Sequence, residues 1–407
     1  MINEKDREIL REIAKKRAEL AASPRNQGLI RDWKAYGASK GPTRPMIRIE
    51  IETFEHQILP GMMKCESEEA RRIEARLLRP MANFTLFEDD TLVPEYYGVA
   101  EHSWFIPFGL EVKRQETGSL GHHFIPYLHE LEEDDHLLGP SVFGVDGEGT
   151  RREMEEAEAL FGDILPVKRV SNCAVCCPTQ DIVHIMNMDD MYIAMIDEED
   201  RFHAMMRRLT DDYRAWYALQ EDSGLLVSGA EAEHLNQGSY CYTNELKDGV
   251  AGAKLKDCWL FMDSQETAGI SPQMYHDLVW PYYREIMGLF GLVSYGCCEA
   301  SHPIWDNCLS EVENLRKVSV SPWCDEEFMG ERLRGTGITF LRKPPATLLG
   351  MDTPTLDEDA VKACFRKTAR AAAGCKLEIA QRDVYMVGHS AEKVRRYVEL
   401  ARGALEE

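Results

Sequence analysis

The chain of 407 residues lacks a long apolar run, and it has few basic residues relative to its acidic ones. A membrane-spanning helix needs a stretch of about 18 or more apolar residues, and no such stretch is present, so we expect no transmembrane helix. The 47 basic residues stand against 70 acidic residues, which gives a formal charge of −23. Because a surface this acidic repels nucleic acid and anionic lipid, we expect neither as a partner.

A secretory signal and a disulfide framework are also missing. The first 20 residues are charged throughout and indicate an amphipathic helix, so the cytoplasm is the default location. The 12 cysteines include two vicinal pairs, Cys176-Cys177 and Cys297-Cys298. In a long chain without a signal, this pattern favours reduced thiols, some in the core and some as ligands.

From about Thr91 onward, short apolar runs alternate with amphipathic helical patterns. Eight runs are predicted as strands: Thr91–Ala100, Ile164–Ser171, Gly224–Ala232, Cys258–Glu266, Gly291–Glu299, Arg316–Trp323, Ile338–Pro345 and Lys376–Val384. Eight strand–helix units are typical of a closed parallel barrel, so we predict an α/β protein with a (β/α)8 TIM barrel over residues 91–407. Residues 1–90 are predicted as an N-terminal helical extension that includes one extra strand, "PMIRIEIE".

Polar side chains gather at the carboxyl ends of the predicted strands, where such barrels carry their active sites. They are Asp263, Gln265, Glu266, Cys297, Cys298, Glu299, Cys324, Asp325, Arg382 and Asp383.

The stretch "GCCEASHP" raises the possibility of a metal site. Neighbouring strands lie about 4.8 Å apart, so thiolates from Cys297 or Cys298 and from Cys324 can reach one zinc ion at about 2.3 Å. Glu299 or His302 would complete three protein ligands and leave an open position, as in catalytic zinc sites. The alternative is plain core packing, because cysteine is among the most buried residues and the spacing is not that of a paired CxxC site.

Further clusters allow two interpretations. The motif "SNCAVCCPTQ" with Cys173, Cys176 and Cys177 suits barrel-wall packing better than ligation. His234, in "AEAEHLNQGSY", is a candidate substrate contact. Arg342, beside Lys343, either holds a substrate carboxylate or is balanced by nearby acids.

Several segments resemble the uroporphyrinogen decarboxylase superfamily. They are "FMDSQETAGISPQMYHDLVWPYYREIMGLFG", "LVSYGCCEASHPIW", "ITFLRKPPATLL" and "LEIAQRDVYMVGHSAEKVRRYVELAR", and the likeness runs from about Glu69 to Arg402. The resemblance is nearest to the zinc-dependent branch that transfers methyl groups to corrinoid proteins. It implies an eight-stranded α/β barrel, a zinc ion and a homodimer like those of related barrels.

The chain also departs from this superfamily. The decarboxylases carry an arginine-rich "RQAGR" stretch, where this chain has "RPMIRIEIETFEH" with Arg48. In the methyltransferase branch, Cys297 falls on the zinc cysteine, but Tyr295 stands where a histidine is expected. For the last ligand of the branch, Asp383 is the nearest candidate and Cys324 its rival.

We therefore hypothesise a zinc-dependent methyltransferase that moves a methyl group from a small methylated substrate, such as a methoxylated aromatic, to the Co(I) corrinoid of a partner protein. The candidate general acids are Glu266, Asp263 and Asp383. The candidate substrate contacts are Gln265, Tyr240, Tyr242, Trp323, His234 and Arg342. The candidate zinc ligands are Cys298, Cys297, Glu299 and Cys324. A decarboxylase of a uroporphyrinogen-like carboxylated substrate is the alternative, and a barrel that only binds a ligand is the third class.

Overall fold

The computed structural model describes residues 2–116, 121–170 and 173–407. Its α-helices are α1 Glu4–Ala21, α2 Pro24–Ala38, α3 Glu55–Ile58, α4 Glu68–Ala82, α5 Leu131–Asp134, α6 Gly147–Phe161, α7 Pro178–Val183, α8 Met188–Asp197, α9 Glu199–Asp222, α10 Pro272–Leu278, α11 Trp280–Met287, α12 Glu326–Leu333, α13 Glu358–Ala371 and α14 Ala391–Glu406. Its strands are β1 Met46–Ile49, β2 Tyr97–Val99, β3 Ser103–Ile106, β4 Arg114–Glu116, β5 His122–Phe124, β6 Val142–Val145, β7 Val167–Arg169, β8 Ala174–Cys176, β9 His234–Leu235, β10 Ser239–Tyr240, β11 Trp259–Met262, β12 Leu292–Tyr295, β13 Leu315–Val320, β14 Thr339–Arg342 and β15 Lys376–Gln381.

Seven strands form one parallel sheet in the order β1-β15-β14-β13-β12-β11-β8. Almost every residue of β11, β12, β14 and β15 is buried, because helices cover parallel sheets and leave no solvent-facing side. The strands overlap the predicted apolar runs for the same reason. The α/β class and the parallel sheet are thus confirmed.

The outer edge of β1 explains why this sheet does not close through backbone pairing within the described residues. The N–H groups of Ile47 and Ile49 donate to the carboxylates of Asp90 (2.7 Å) and Asp89 (2.8 Å). These donors would otherwise pair with an eighth strand, and their satisfaction by side chains removes the need for one. The predicted next strand, represented by β2, pairs with β7 in a separate two-stranded sheet. The closed eight-stranded barrel stays a prediction.

Strand β1 comes from the segment predicted as an extension, yet it is an edge strand of the main sheet. Met46 is in register with Glu378 of β15, and Ile49 with Gln381. The division of the chain at residue 90 therefore stays a prediction, and one strand of the sheet lies before it.

The predicted strand Gly224–Ala232 is wrong. The segment is an irregular loop with a single bridge between Val227 and Ala251. Its backbone is bonded by the Asp248 carboxylate, which accepts from Ala230 N at 2.8 Å, and by the Ser228 hydroxyl, which accepts from Val250 N at 3.0 Å. These side-chain bonds stand beside a few backbone bonds to residues 243–253, such as Ser228 N to Val250 O at 3.1 Å, and no regular ladder forms.

The remaining strands form small two-stranded sheets outside the main one. The antiparallel pairs are β3 with β6, β4 with β5 and β9 with β10. No helix among the described residues is both long enough and apolar enough to cross a membrane.

Candidate active site

An open cleft of about 530 Å³ lies beyond the carboxyl ends of β11, β12 and β13. It is lined by Met188, Gln265, Glu266, Ala268, Cys298, Glu299, Ala300 and Trp323. The carboxyl ends of parallel strands meet at one edge of a sheet, and this brings residues from three separate predicted strand ends together. Five of the predicted site residues line this single cleft.

Gly296 turns the chain out of β12 and places the two thiols at the sheet edge. Its φ of +99° lies in the region that favours glycine. A Cβ at this position would come within 2.8 Å of Ser319 Cβ on β13. Glycine is therefore required here both by the backbone conformation and by the close approach of the neighbouring strand.

The thiols of Cys297 and Cys298 lie side by side, with their sulfur atoms 3.5 Å apart. Cys298 donates to Oδ2 of Asp383 at 3.4 Å, and Arg382 donates to the sulfur of Cys297 at 3.6 Å. The hydrogen bond from Cys297 lowers the pKa of Cys298, and the same bond together with burial raises the pKa of Cys297. The shared hydrogen bond thus favours the thiolate form at Cys298 over that at Cys297.

Buried carboxyl groups stand next to these thiols. Asp263 follows β11 and is only 3 % exposed, and its Oδ1 has no hydrogen-bond partner among the described residues. Burial, followed by the charge of Glu299, raises the pKa of Asp263 to about 8. Burial also raises the pKa of Glu266, whose Oε2 accepts from Thr179 at 3.0 Å. Asp263 can therefore hold a proton near neutral pH, as a general acid must, and burial shifts the pKa of Glu266 in the same direction.

Lys343 holds the backbone around the thiols from below. Its ammonium group donates to the carbonyls of Gly296 and Cys297, both at 3.1 Å, and to Oε1 of Gln237 at 2.7 Å. Burial lowers the pKa of Lys343, and the adjacent Cys297 opposes this shift. A lysine that supports two carbonyls in this way fixes the direction in which the cysteines leave the strand.

Three of the candidate zinc ligands accept hydrogen bonds from backbone N–H groups. Glu299 accepts from the backbone N–H groups of Ser264 (3.2 Å) and Cys297 (2.8 Å), one with each oxygen. The sulfur of Cys324 accepts from Ser301 N at 3.3 Å. His302 Nδ1 accepts from Asp325 N at 3.2 Å.

The predicted four-ligand set is therefore not assembled. Across residues 2–116, 121–170 and 173–407, no three His, Cys, Asp or Glu side chains are grouped so as to hold a metal ion. The residues present do not fit the predicted zinc set, and the zinc ion stays a prediction from the sequence.

Tyr295, at the position where a histidine ligand is expected from the resemblance, is a structural residue. Its buried hydroxyl is hydrogen bonded to the hydroxyls of Ser264 and Tyr275, the latter at 2.9 Å. These partners hold the side chain in a tyrosine–serine network instead of at the thiols.

The predicted substrate contacts separate into two groups. Gln265 and Trp323 line the cleft, and Trp323 is 75 % exposed there. Arg342 does not: it is buried and paired with Glu326 at 3.0 Å, and it also donates to Val320 O. Tyr240 is buried beneath Arg48, and His234 is exposed beside it.

The other sequence candidates lie in the core or on the surface. Cys176 and Cys177 are buried, which confirms the wall-packing interpretation, and Cys173 is partly buried. Tyr242 stacks on Trp33 with ring centroids 5.7 Å apart.

Two contributors to the site were missed by the sequence reasoning. Oε2 of Glu50 lies 3.3 Å from Nε of Arg382, and Oε1 of Gln237 accepts a hydrogen bond from Nζ of Lys343. Glu50 directly follows β1, so placing that strand in the main sheet would have revealed it. Gln237 lies in an irregular loop with φ of +69°, and no pattern in the sequence identifies it.

Comparisons with known proteins identify the fold. No family model and no curated protein sequence matches this chain. Among solved structures, the chain is similar to a methyltransferase from Methanosarcina mazei, with a TM-score of 0.51 and 13% sequence identity. The likeness covers 93% of this chain and 98% of that one. At this identity the similarity extends to the fold over almost the whole length of both chains.

Proposed function

We propose that this protein is a methyltransferase that removes a methyl group from a small methylated substrate. One observation carries the proposal: a carboxyl group, Glu266, lines one open cleft at the carboxyl ends of parallel strands together with Gln265, Trp323 and the thiol of Cys298. The whole-length likeness to a methyltransferase fold supports it.

The reaction breaks the bond between the methyl carbon and its heteroatom. The methyl group passes to a nucleophilic acceptor, and the heteroatom leaves with the bonding electron pair and takes up a proton. Glu266, at the cleft, can give this proton, and Asp263, buried behind it, can replace it. Trp323 and Gln265 line the cleft where they can orient the substrate.

The acceptor in this proposal is the Co(I) corrinoid of a separate protein, and a methoxylated aromatic compound is the donor. A zinc ion that polarises the heteroatom is the remaining part of the proposal. No step above depends on it, because the predicted ligands are not gathered in the structure.

A decarboxylase of a carboxylated substrate is the second candidate. It is favoured by a second cavity, which is lined by four arginines.

The test is to incubate the protein with methoxylated aromatics, methylamines and thioethers in the presence of Co(I) cobalamin. We expect methylation of the cobalt with at least one donor, and at least a tenfold lower rate for Glu266→Gln, whose side chain has no carboxyl proton to give. Glu392→Gln, exposed on α14 outside the cleft, is the matched control and should keep the wild-type rate. Zinc content is measured on the wild type, on Cys298→Ser and on Cys364→Ser, in which the changed thiol lies on α13 outside the cleft.

Failure of every donor to methylate the cobalt would overturn the methyltransferase proposal, and an unchanged rate for Glu266→Gln would remove Glu266 as the proton donor. Release of CO₂ from carboxylated compounds in parallel incubations would establish the second candidate. About one zinc per chain, lost in Cys298→Ser and kept in Cys364→Ser, would support the zinc part of the proposal, and metal-free active protein would remove it.

A further inference from the structure

A second cavity, of about 320 Å³, lies beyond the carboxyl end of β1. Its charged and ionisable lining consists of Arg17, Arg48, Arg76, Arg79, Glu52, Glu233 and His234. Four arginines in one cavity are unusual for a protein with a formal charge of −23, and two of them differ from the others in their partners.

Arg48 is only 5 % exposed, and no carboxylate among the described residues lies within ion-pair distance of it. Its Nη1 donates to Gly238 O at 2.8 Å, and its guanidinium lies 3.7 Å from the ring centroid of Tyr240. Its buried Nε has no hydrogen-bond partner within the described part of the chain. A buried donor left without a partner costs about 1–3 kcal/mol, and more when it is charged.

Arg17 also has no acidic partner among the described residues. It is 5 % exposed and donates only to backbone carbonyls, those of Pro94 (3.0 Å) and Tyr96 (2.8 Å). Burial lowers the pKa of Arg17 to about 10, as expected for a cation that is shielded from water. Carbonyl groups satisfy its hydrogen bonds but leave its positive charge without a counter-ion.

The other two arginines are compensated. Arg76 is paired with Glu153 at 2.9 Å, and Arg79 forms a two-pronged pair with Glu55.

The acids of the cavity do not neutralise the two unpaired arginines. Glu52 is exposed, so solvent screens its charge. Burial, with a contribution from Asp248, raises the pKa of Glu233 to about 7, so this group carries only part of its charge at neutral pH.

We propose that this cavity binds the carboxylate of a small anionic molecule, with Arg48 and Arg17 as its counter-charges. A guanidinium matches a carboxylate in geometry, and Arg48 and Arg17 both line the cavity without an acidic partner among the described residues. Binding would relieve the cost of two buried, uncompensated cations.

The loop that contains Gln237 and Gly238 connects the cavity to the backbone next to the thiol pair. Gln237 accepts from Lys343, which supports Cys297, and the next residue, Gly238, accepts from Arg48. Strand β1 also lies beside β15, after which Arg382 contacts Cys297. The identity of the ligand rests on the proposed function: if the protein transfers a methyl group, the ligand is a methyl donor that carries a carboxylate. The binding of the anion itself does not depend on methyl transfer.

Isothermal titration of the whole protein tests this inference with two carboxylates, 4-methoxybenzoate and methoxyacetate, and with their uncharged amides as matched controls. We expect at least one carboxylate to bind, and at least tenfold more tightly than its amide. Arg48→Met should weaken this binding at least tenfold, and Arg48→Lys, which keeps the charge but not the fork, should weaken it less. The double variant Arg396→Met/Glu358→Gln removes an arginine–glutamate pair between α14 and α13, outside the cavity, and should leave the affinity within a factor of three.

Circular dichroism and the unfolding midpoint establish that each variant is folded, and Arg17→Met replaces Arg48→Met if the latter does not fold. The inference is overturned if neither carboxylate binds, if the amides bind equally well, or if the folded arginine variants keep the wild-type affinity. Carboxylate binding without methyl transfer would reject the proposed function alone, and methyl transfer from uncharged donors without carboxylate binding would reject this inference alone.

Discussion

At the scale of single residues, burial decides which groups at the cleft can exchange protons. Asp263, Glu266 and the two cysteines were placed correctly at strand ends by the pattern of the sequence. The hydrogen-bond partners of Glu299 and Cys324 were not predictable, because the direction of a side chain beyond a strand end depends on loop geometry. Glu299 accepts from two backbone N–H groups, and Cys324 accepts from Ser301. Because both side chains accept these hydrogen bonds, neither is free to complete the predicted zinc site.

Asp263→Asn should change how stability depends on pH. In the folded protein, burial raises the pKa of Asp263 from 3.8 to about 8. Between these values the unfolded chain has lost this proton while the folded chain retains it, so the free energy of unfolding falls as pH rises. This single proton contributes at most about 1.4 kcal/mol per pH unit. The variant should lack that component of the slope between pH 4 and pH 8, as measured by urea unfolding at a series of pH values.

The control for this measurement is Asp222→Asn, because Asp222 is exposed at the end of α9. It should keep the pH dependence of the wild type. Parallel slopes for wild type and Asp263→Asn would show that Asp263 is ionised in the folded state at neutral pH.

At the scale of elements, strands that helices cover on both faces were predictable from the sequence, whereas the strand at the edge of the main sheet was not. Runs such as that of β11 are apolar throughout because helices cover the sheet. The run Gly224–Ala232 also begins with apolar residues, but its backbone is bonded by the Asp248 carboxylate and by scattered backbone groups of residues 243–253 and not by a regular strand. The place of β1 in the sheet depends on pairing with β15, about 330 residues later in the chain. Such long-range pairing leaves no signal in the local sequence.

Gly296→Ala should destabilise the protein more than Gly335→Ala. Both glycines have positive φ, +99° and +75°, so each substitution costs about 1–2 kcal/mol in backbone conformation. A Cβ at Gly335 meets open space, whereas one at Gly296 comes within 2.8 Å of Ser319 Cβ. The clash should add roughly 1–3 kcal/mol, as overpacking typically does. Urea unfolding of both variants measures the difference, and equal losses would contradict the close approach of β12 to β13.

At the scale of the whole molecule, the fold extends across the boundary predicted at residue 90. Trp33 and Ile47 lie before it and are fully buried in the main core. The parallel sheet and the active-site edge were predictable because alternating strands and helices leave few other arrangements. The closed barrel stays a prediction, because the described edge of β1 is bonded by the carboxylates of Asp89 and Asp90 and by the backbone N–H of Asp90, and not by a regular strand.

A chain that starts at residue 91 should therefore not fold cooperatively. It would lose β1, expose the edge of β15 and remove Trp33 from the core. Circular dichroism during thermal unfolding, compared with the full chain, measures this. A cooperative transition near the full chain's midpoint would instead show that residues 1–90 are a separable extension.

The exposure of Trp323 gives the cleft its own optical reporter. Six of the seven tryptophans are less exposed than this one, which is 75 % accessible and forms part of the cleft wall. A hydrated indole emits at longer wavelengths than one surrounded by protein, so the fluorescence of Trp323 stands apart from that of the buried tryptophans, and Trp104, 45 % exposed and outside the cleft, adds a constant background. Any molecule that displaces water from this wall shifts the emission to shorter wavelengths, and ligands can be screened by light alone, without a label or an assay of turnover.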